Sequence, residues 1–72
     1  MNFCQRLRDI REDRDLTQGD IARILQTSQS YYAQYENGKR ALPFDRAILL
    51  ARYYNVSLDY LAGLIDTPRA LK

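Results

Sequence analysis

An all-α domain of five short helices is the architecture this chain predicts, and three observations point to it. Apolar residues recur three and four positions apart along most of the 72 residues, and no stretch alternates as a half-buried strand would. Ser, Thr or Asn stands just ahead of four of the apolar stripes, where a helix start needs a side-chain oxygen for its unpaired amides. Thr17 to Gly38, TQGDIARILQTSQSYYAQYENG, reads as two short helices joined by a tight turn.

The elements follow in order. Residues 2–14 predict a first helix, capped by Asn2, with Phe3, Leu7 and Ile10 as its core-facing stripe. Arg6, Arg8, Asp9, Arg11, Glu12, Asp13 and Arg14 alternate in sign around that stripe and read as a solvated, ion-paired face, with Arg8 or Arg14 as candidates to reach a phosphate. Leu16 stands as a staple residue before Thr17, which caps the second helix and forms a capping box with Asp20. Ile21, Ala22 and Leu25 supply that helix's apolar stripe. Ser28 caps a third helix, 28–37, which Gly38 ends. In it Tyr32 and Tyr35 face inward, while Gln29, Ser30, Ala33 and Gln34 share the outward face.

Leu42-Pro43 begins a fourth helix, with proline at the first helical position and Phe44, Ala47, Ile48, Ala51 and Tyr54 as its core stripe. Asn55-Val56 breaks it. Ser57 caps a fifth helix with Leu58 and Leu61 inward, and Gly63 closes it. Residues 1–63 are therefore expected to form one domain and 64–72 a tail. In the tail, Leu64 and Ile65 serve either as a dimer contact, the favoured reading, or as intramolecular packing.

Composition narrows the function classes. A chain of this length buries only about 60% of its unfolded surface, so its stability rests on good helix packing or on dimerisation. Forty-six per cent apolar residues with no long apolar run predicts a soluble globule without a membrane span, and the single Cys4 fits a reducing cytoplasm. With no histidine and the single Cys4, neither an internal disulfide nor a metal site is expected. The chain has no glycine-rich phosphate loop and no nucleophile–base constellation, so neither an enzyme nor a cofactor is expected. A net charge of +2 is too small to argue for nucleic acid, so any such argument rests on where the charges lie.

Their placement does favour duplex DNA. An outward helix face of amides and a hydroxyl, without a charge run, suits base edges better than plain solvation. Gln29 can pair with adenine N6/N7 or bond guanine acceptors, Ser30 can donate or accept, Gln34 lies about one turn on, and the Ala33 methyl can meet a thymine methyl. Lys39 and Arg40, with the amides of Asn37 and Gly38, are placed to clamp a phosphate. Tyr31, beside the reading face, either contacts a phosphate or sugar or covers the edge of the core.

The chain resembles the Cro-like phage-repressor helix-turn-helix family, often called the XRE family. The resemblance is carried by Leu7-Arg8-x-x-Arg11, Leu16-Thr17-Gln18-x-x-Ile21-Ala22, Ser28-Gln29-Ser30, Tyr35-Glu36-Asn37-Gly38-Lys39-Arg40, Leu50-Ala51 and Asn55-Val56-Ser57-Leu58-Asp59-Tyr60-Leu61. It covers roughly residues 3 to 63. It implies a phage-repressor-like five-helix DNA-binding domain acting as a transcriptional regulator, by default a repressor. It also implies that Arg11 pairs with Glu36, that Gln18 bonds a phosphate and braces Gln29, and that Ser28 lies at the rim of the reading face.

Where the family commonly has glycine in the motif's turn, this chain has Gln26. Either Gln26 bears a left-handed conformation or the second helix runs on and the turn differs. A homodimer on a palindromic double-stranded operator is the expected assembly, with no small-molecule ligand. The rival reading is a protein-interaction module of the same fold, binding a toxin or a repressor antagonist.

Overall fold

The computed structural model describes residues 2–67. Among them are five helices and no strand: α1 (Phe3–Asp13), α2 (Gln18–Ile24), α3 (Gln29–Glu36), α4 (Phe44–Tyr54) and α5 (Leu58–Leu61). The tail residues 68–72 lie outside the described residues.

Four of the helix starts use the side-chain caps expected of them. Asn2, Thr17, Ser28 and Ser57 each accept a bond from the amide three residues on. Thr17 and Asp20 form the full reciprocal box, Asp20 N to Thr17 Oγ1 at 3.1 Å and Thr17 N to Asp20 Oδ2 at 2.8 Å. The bond from the Thr17 backbone amide is the main reason the Asp20 carboxyl titrates below its ordinary range. The fourth helix corrects the expectation at its start. Pro43 is the N-cap rather than the first helical residue, and it provides no side-chain bond.

All five helices stop in the same way. The residue past the cap, or in α4 the cap itself, takes a left-handed conformation, and the next amide folds back onto a carbonyl of the last turn. The left-handed positions are Asp15 (φ 57°), Gln26 (58°), Gly38 (77°), Asn55 (57°) and Gly63 (83°). The matching closures are Leu16 N to Arg11 O, Thr27 N to Ala22 O, Lys39 N to Gln34 O, Val56 N to Ala51 O and Leu64 N to Asp59 O, all 2.9–3.1 Å. This resolves the question at the turn. α2 does not run on, and Gln26 itself bears the positive φ.

The core is one cluster to which every helix contributes. It holds Leu7 and Ile10 of α1, Ile21 and Ala22 of α2, Leu25 just after it, and Tyr32 and Tyr35 of α3. Leu50, Ala51 and Tyr54 of α4, then Val56 and Leu61, complete it. Leu16 packs against its edge. α3 lies against α1 and α2, and α5 against α1 and α4, so the third helix is gripped from two sides. Burial drives the Tyr32 and Tyr54 hydroxyls well above the ordinary tyrosine range, and the nearby Glu36 charge acts in the same direction. Neither hydroxyl reaches a hydrogen-bond partner among the described residues.

Two expectations about packing are corrected. Phe44 is 71% exposed, and Leu50, absent from the predicted stripe, is fully buried. The inward face of α4 is centred on Ala47, Leu50, Ala51 and Tyr54, which leaves Phe44 in the first turn projecting past the core. Arg6, expected on a solvated face, is buried: its guanidinium lies 3.9 Å from the centroid of the Tyr60 ring and donates to the carbonyls of Tyr60 (2.6 Å) and Ile65 (3.1 Å). Such a planar cation sandwiched by an aromatic ring and carbonyls keeps its hydrogen bonds after leaving water. Leu64 is 76% exposed and Ile65 half-buried.

Candidate nucleic-acid interface

α3 is held from beneath by a buried carboxylate at its last residue. The Glu36 side chain has no exposed surface. It accepts from Arg11 Nε at 2.8 Å and Nη2 at 3.1 Å and from Gln18 Nε2 at 3.2 Å, with Arg8 Nε at 3.7 Å. Arg11 Nη1 also donates to the Leu16 carbonyl at 2.9 Å. Burial alone would raise the Glu36 pKa, but the Arg11 guanidinium, with Gln18, outweighs it and holds the carboxyl below its ordinary value. One anion thus ties the end of α3 to α1 and to the start of α2.

The Arg11–Glu36 pair joins as expected, and Gln18 joins it. Its amide nitrogen is directed at Glu36, which fixes the side chain at the start of α2. No hydrogen bond joins Gln18 to Gln29 among the described residues, and Gln29 lies instead near Gly19. The Gln29 Oε1 lies 3.7 Å from where a Cβ would stand on Gly19, so the amide lies alongside the first turn of α2.

The outward face gathers the predicted reading residues. Ser28, Gln29 and Ser30 are exposed at the N-terminal end of α3, and Ala33 and Gln34 are half-buried behind them. Ser28 Oγ is occupied as the helix cap, accepting from Tyr31 N at 3.1 Å. Tyr31 is half-buried, edge-on to Tyr35 at 5.7 Å, with the Arg40 guanidinium 4.4 Å above its ring. Arg40 Nε donates to Gln34 Oε1 at 3.2 Å.

The loop 37–40 is corrected in one respect. The Asn37 amide donates to the Ala33 carbonyl at 2.9 Å and the Gly38 amide to the Tyr35 carbonyl at 3.4 Å, because both close the helix end. The exposed groups this loop offers an anion are therefore side chains, those of Asn37, Lys39 and Arg40. Gly38 serves the turn. Its φ is +77°, and a Cβ there would come within 3.4 Å of Cys4 Sγ.

Three arginines carry roles that the sequence reading missed. Arg6 binds the end of α5, Arg14 donates to the Tyr54 carbonyl at 2.8 Å, and Arg46 donates to the Leu25 carbonyl at the motif's turn. Arg14 is thereby committed to the C-terminal end of α4, where a cation is favoured, and not to an outside phosphate. The signal for Arg6 was present: it falls three residues after Phe3 and four before Ile10, inside the apolar stripe. Among the described residues no cluster of His, Cys, Asp and Glu could hold a metal ion, and no helix is long and apolar enough to cross a membrane.

Comparison with known proteins places this geometry. A family profile described as helix-turn-helix matches residues 7–61. An uncharacterized HTH-type transcriptional regulator, YobD of Bacillus subtilis (strain 168), is 41% identical over 66 residues, covering 92% of this chain and 59% of that protein. The cryptic phage CTXphi transcriptional repressor RstR of Vibrio cholerae is 29% identical over 65 residues, covering 90% and 59%. The crystal structure of a transcriptional regulator from Listeria innocua superposes with a TM-score of 0.83 at 26% identity, over 89% of this chain and 60% of that one. The chain thus spans about three-fifths of the length of these relatives. With its two capped helices, closed turn and anchored third helix matched across 7–61, the chain belongs to the helix-turn-helix family of the Cro-like phage-repressor (XRE) type.

Proposed function

We propose that this chain binds double-stranded DNA sequence-specifically and regulates transcription, by default as a repressor that occludes a promoter in the cytoplasm. The observation that carries the reading is the division of α3. Tyr32, Tyr35 and Glu36 are buried and fixed, while Ser28, Gln29 and Ser30 stand exposed at its N-terminal end with neutral donors and acceptors. A rigid helix with such an end suits the major groove, where each base pair offers its own donor–acceptor pattern. Gln29, Ser30, Ala33 and Gln34 read bases, with Ser28 at the rim. Lys39, Arg40, Asn37 and Tyr31 flank them as phosphate contacts, Gly38 shapes that loop, and Gln18, braced by Glu36 at the start of α2, is a further phosphate contact. The activity is binding, not catalysis.

A homodimer on a palindromic operator completes the proposal. The domain extends 29 Å at most, whereas half-sites on one face of B-DNA recur about every 34 Å, so two half-sites call for two copies. Leu64 and Ile65, the first exposed and the second half-buried beside Arg6, are the proposed contact between copies. The rival reading as a protein-only module gains nothing from the relatives, which are named as transcriptional regulators.

The experiment is selection from random duplex DNA with the purified chain. Enrichment of a two-fold symmetric motif, blurred in a Gln29→Ala, Gln34→Ala double variant, supports the proposal. A pool without enrichment at low salt rejects it.

A further inference from the structure

Gln29 and Gln34 carry the same side chain on the same helix, yet the structure holds them differently. The Gln29 amide rests over Gly19 and makes no hydrogen bond among the described residues. Gln34 is tied twice to Arg40: its backbone carbonyl accepts from Arg40 N at 3.2 Å and its Oε1 accepts from Arg40 Nε at 3.2 Å. Arg40 is in turn held over the Tyr31 ring at 4.4 Å, and that ring is braced edge-on by buried Tyr35. The left-handed turn at Gly38 returns the chain so that Arg40 can lie back along α3.

A guanidinium has only donors, so the amide atom facing it must be the oxygen. The orientation of the Gln34 amide is therefore set by the chemistry of its neighbour. Arg40 takes one lone pair of that oxygen and fixes its direction, and Nε2, with two N–H donors, is the wholly unbonded end that can meet a base. A bidentate pair with adenine needs the oxygen as well, to accept from N6 while Nε2 donates to N7. Guanine instead offers two acceptors, O6 and N7, and thymine offers O4.

We infer that Arg40 is a specificity-determining residue: by holding Gln34 Oε1, it sets Gln34 to read the paired acceptors of guanine, and so a G·C pair, in preference to an A·T pair. This rests on the DNA-binding reading proposed above. Arg40 here positions another reader, and Gln29, with both ends of its amide unbonded, retains adenine among its partners.

The test is selection from random duplex DNA with the full chain as wild type, Gln34→Ala, Arg40→Met, Tyr31→Leu and Lys39→Met, each checked for helix content by circular dichroism. The position that loses information in Gln34→Ala is the one Gln34 reads. A G·C pair is expected there in the wild type. Arg40→Met should lower the preference over an A·T pair at that position by about tenfold, the scale of one specific base contact, and leave other positions unchanged. Tyr31→Leu, which removes the ring under the guanidinium, should give the same shift more weakly and serves if Arg40→Met does not fold. Lys39→Met should weaken all sequences alike.

An A·T pair at that position in the wild type overturns the inference. So does an Arg40→Met motif unchanged in base preference but uniformly weaker, as for Lys39→Met, which would make Arg40 a phosphate contact only. Absence of any enrichment by the wild type is a different result, because it removes the DNA-binding reading itself.

Discussion

Arg11 grips Glu36 with two parallel bonds, Nε to Oε2 at 2.8 Å and Nη2 to Oε1 at 3.1 Å, across 25 positions of sequence. Because the carboxylate is wholly buried and also accepts from Gln18, this pair sets the angle between α1 and α3 and thus the aim of the candidate reading face. Removing one partner strands the other. Glu36→Gln is expected to cost about 3 kcal/mol, as for other broken buried pairs, and to lower the thermal midpoint by roughly 10–20 °C for a domain this small. The double variant Arg11→Met, Glu36→Leu should recover part of that loss, since no buried charge is left unpaired. A double variant as unstable as Glu36→Gln would show that the hydrogen bonds to Leu16 and Gln18 matter more than the pair.

The same carboxylate predicts a pH dependence with a definite sign. Its pKa is lower in the folded chain than its ordinary value of 4.5, so the unfolded chain binds the proton more tightly. The stabilisation is therefore fully present above about pH 4.5 and is lost as pH falls through the lower folded value. Urea midpoints should hold steady from neutral pH to near 5 and then decline. In Glu36→Gln the decline should be shallower, and an identical slope would assign the acid sensitivity to other carboxylates such as capping Asp20.

The local code was the most legible part of this chain. Thr17 and Asp20 predicted a capping box, Tyr32 and Tyr35 predicted the buried face of α3, and both follow from bonds or spacings within four residues. What could not be read depends on contacts distant in sequence. Arg6 is buried because Tyr60 and Ile65, more than 50 positions away, offer it a ring and two carbonyls. Phe44 is exposed because the rotation of α4 is set by its partners, Arg46 reaching the Leu25 carbonyl among them. The orientation of Gln34 depends on Arg40 curling back, which no periodicity encodes.

Arg6 yields a test of that distant contact. Lysine keeps the charge but neither the planar stack on Tyr60 nor the fork that meets two carbonyls. Arg6→Lys should therefore lose about 2 kcal/mol, the sum of a charged hydrogen bond and a cation–π stack at the low end of their ranges. Hydrogen exchange should show α5 loosening before α2 and α3. Uniform loosening of all helices would argue that α5 has no separate opening and that Arg6 supports the whole core.

The turn of the motif places residues against their preferences. Gln26 sits at φ 58°, where glycine would be unstrained, while Gly19 lies in the first turn of α2, where a Cβ would meet only ordinary contacts at 3.6 and 3.7 Å. A side chain in the left-handed region costs on the order of 1 kcal/mol, and glycine's greater freedom in the unfolded chain takes back part of the gain. Gln26→Gly is thus expected to stabilise by about 0.5 kcal/mol, and Gly19→Ala by a similar amount through helix propensity. Their effects on binding should differ. Gln26 is exposed beyond α2, so its replacement should leave DNA affinity unchanged, whereas a methyl on Gly19 would stand in van der Waals contact with the Gln29 amide oxygen, limit its freedom to turn, and should alter the base preference that depends on Gln29. Equal binding by both variants would mean that Gln29 turns away from Gly19 when it meets DNA, and that α2 does not help to aim it.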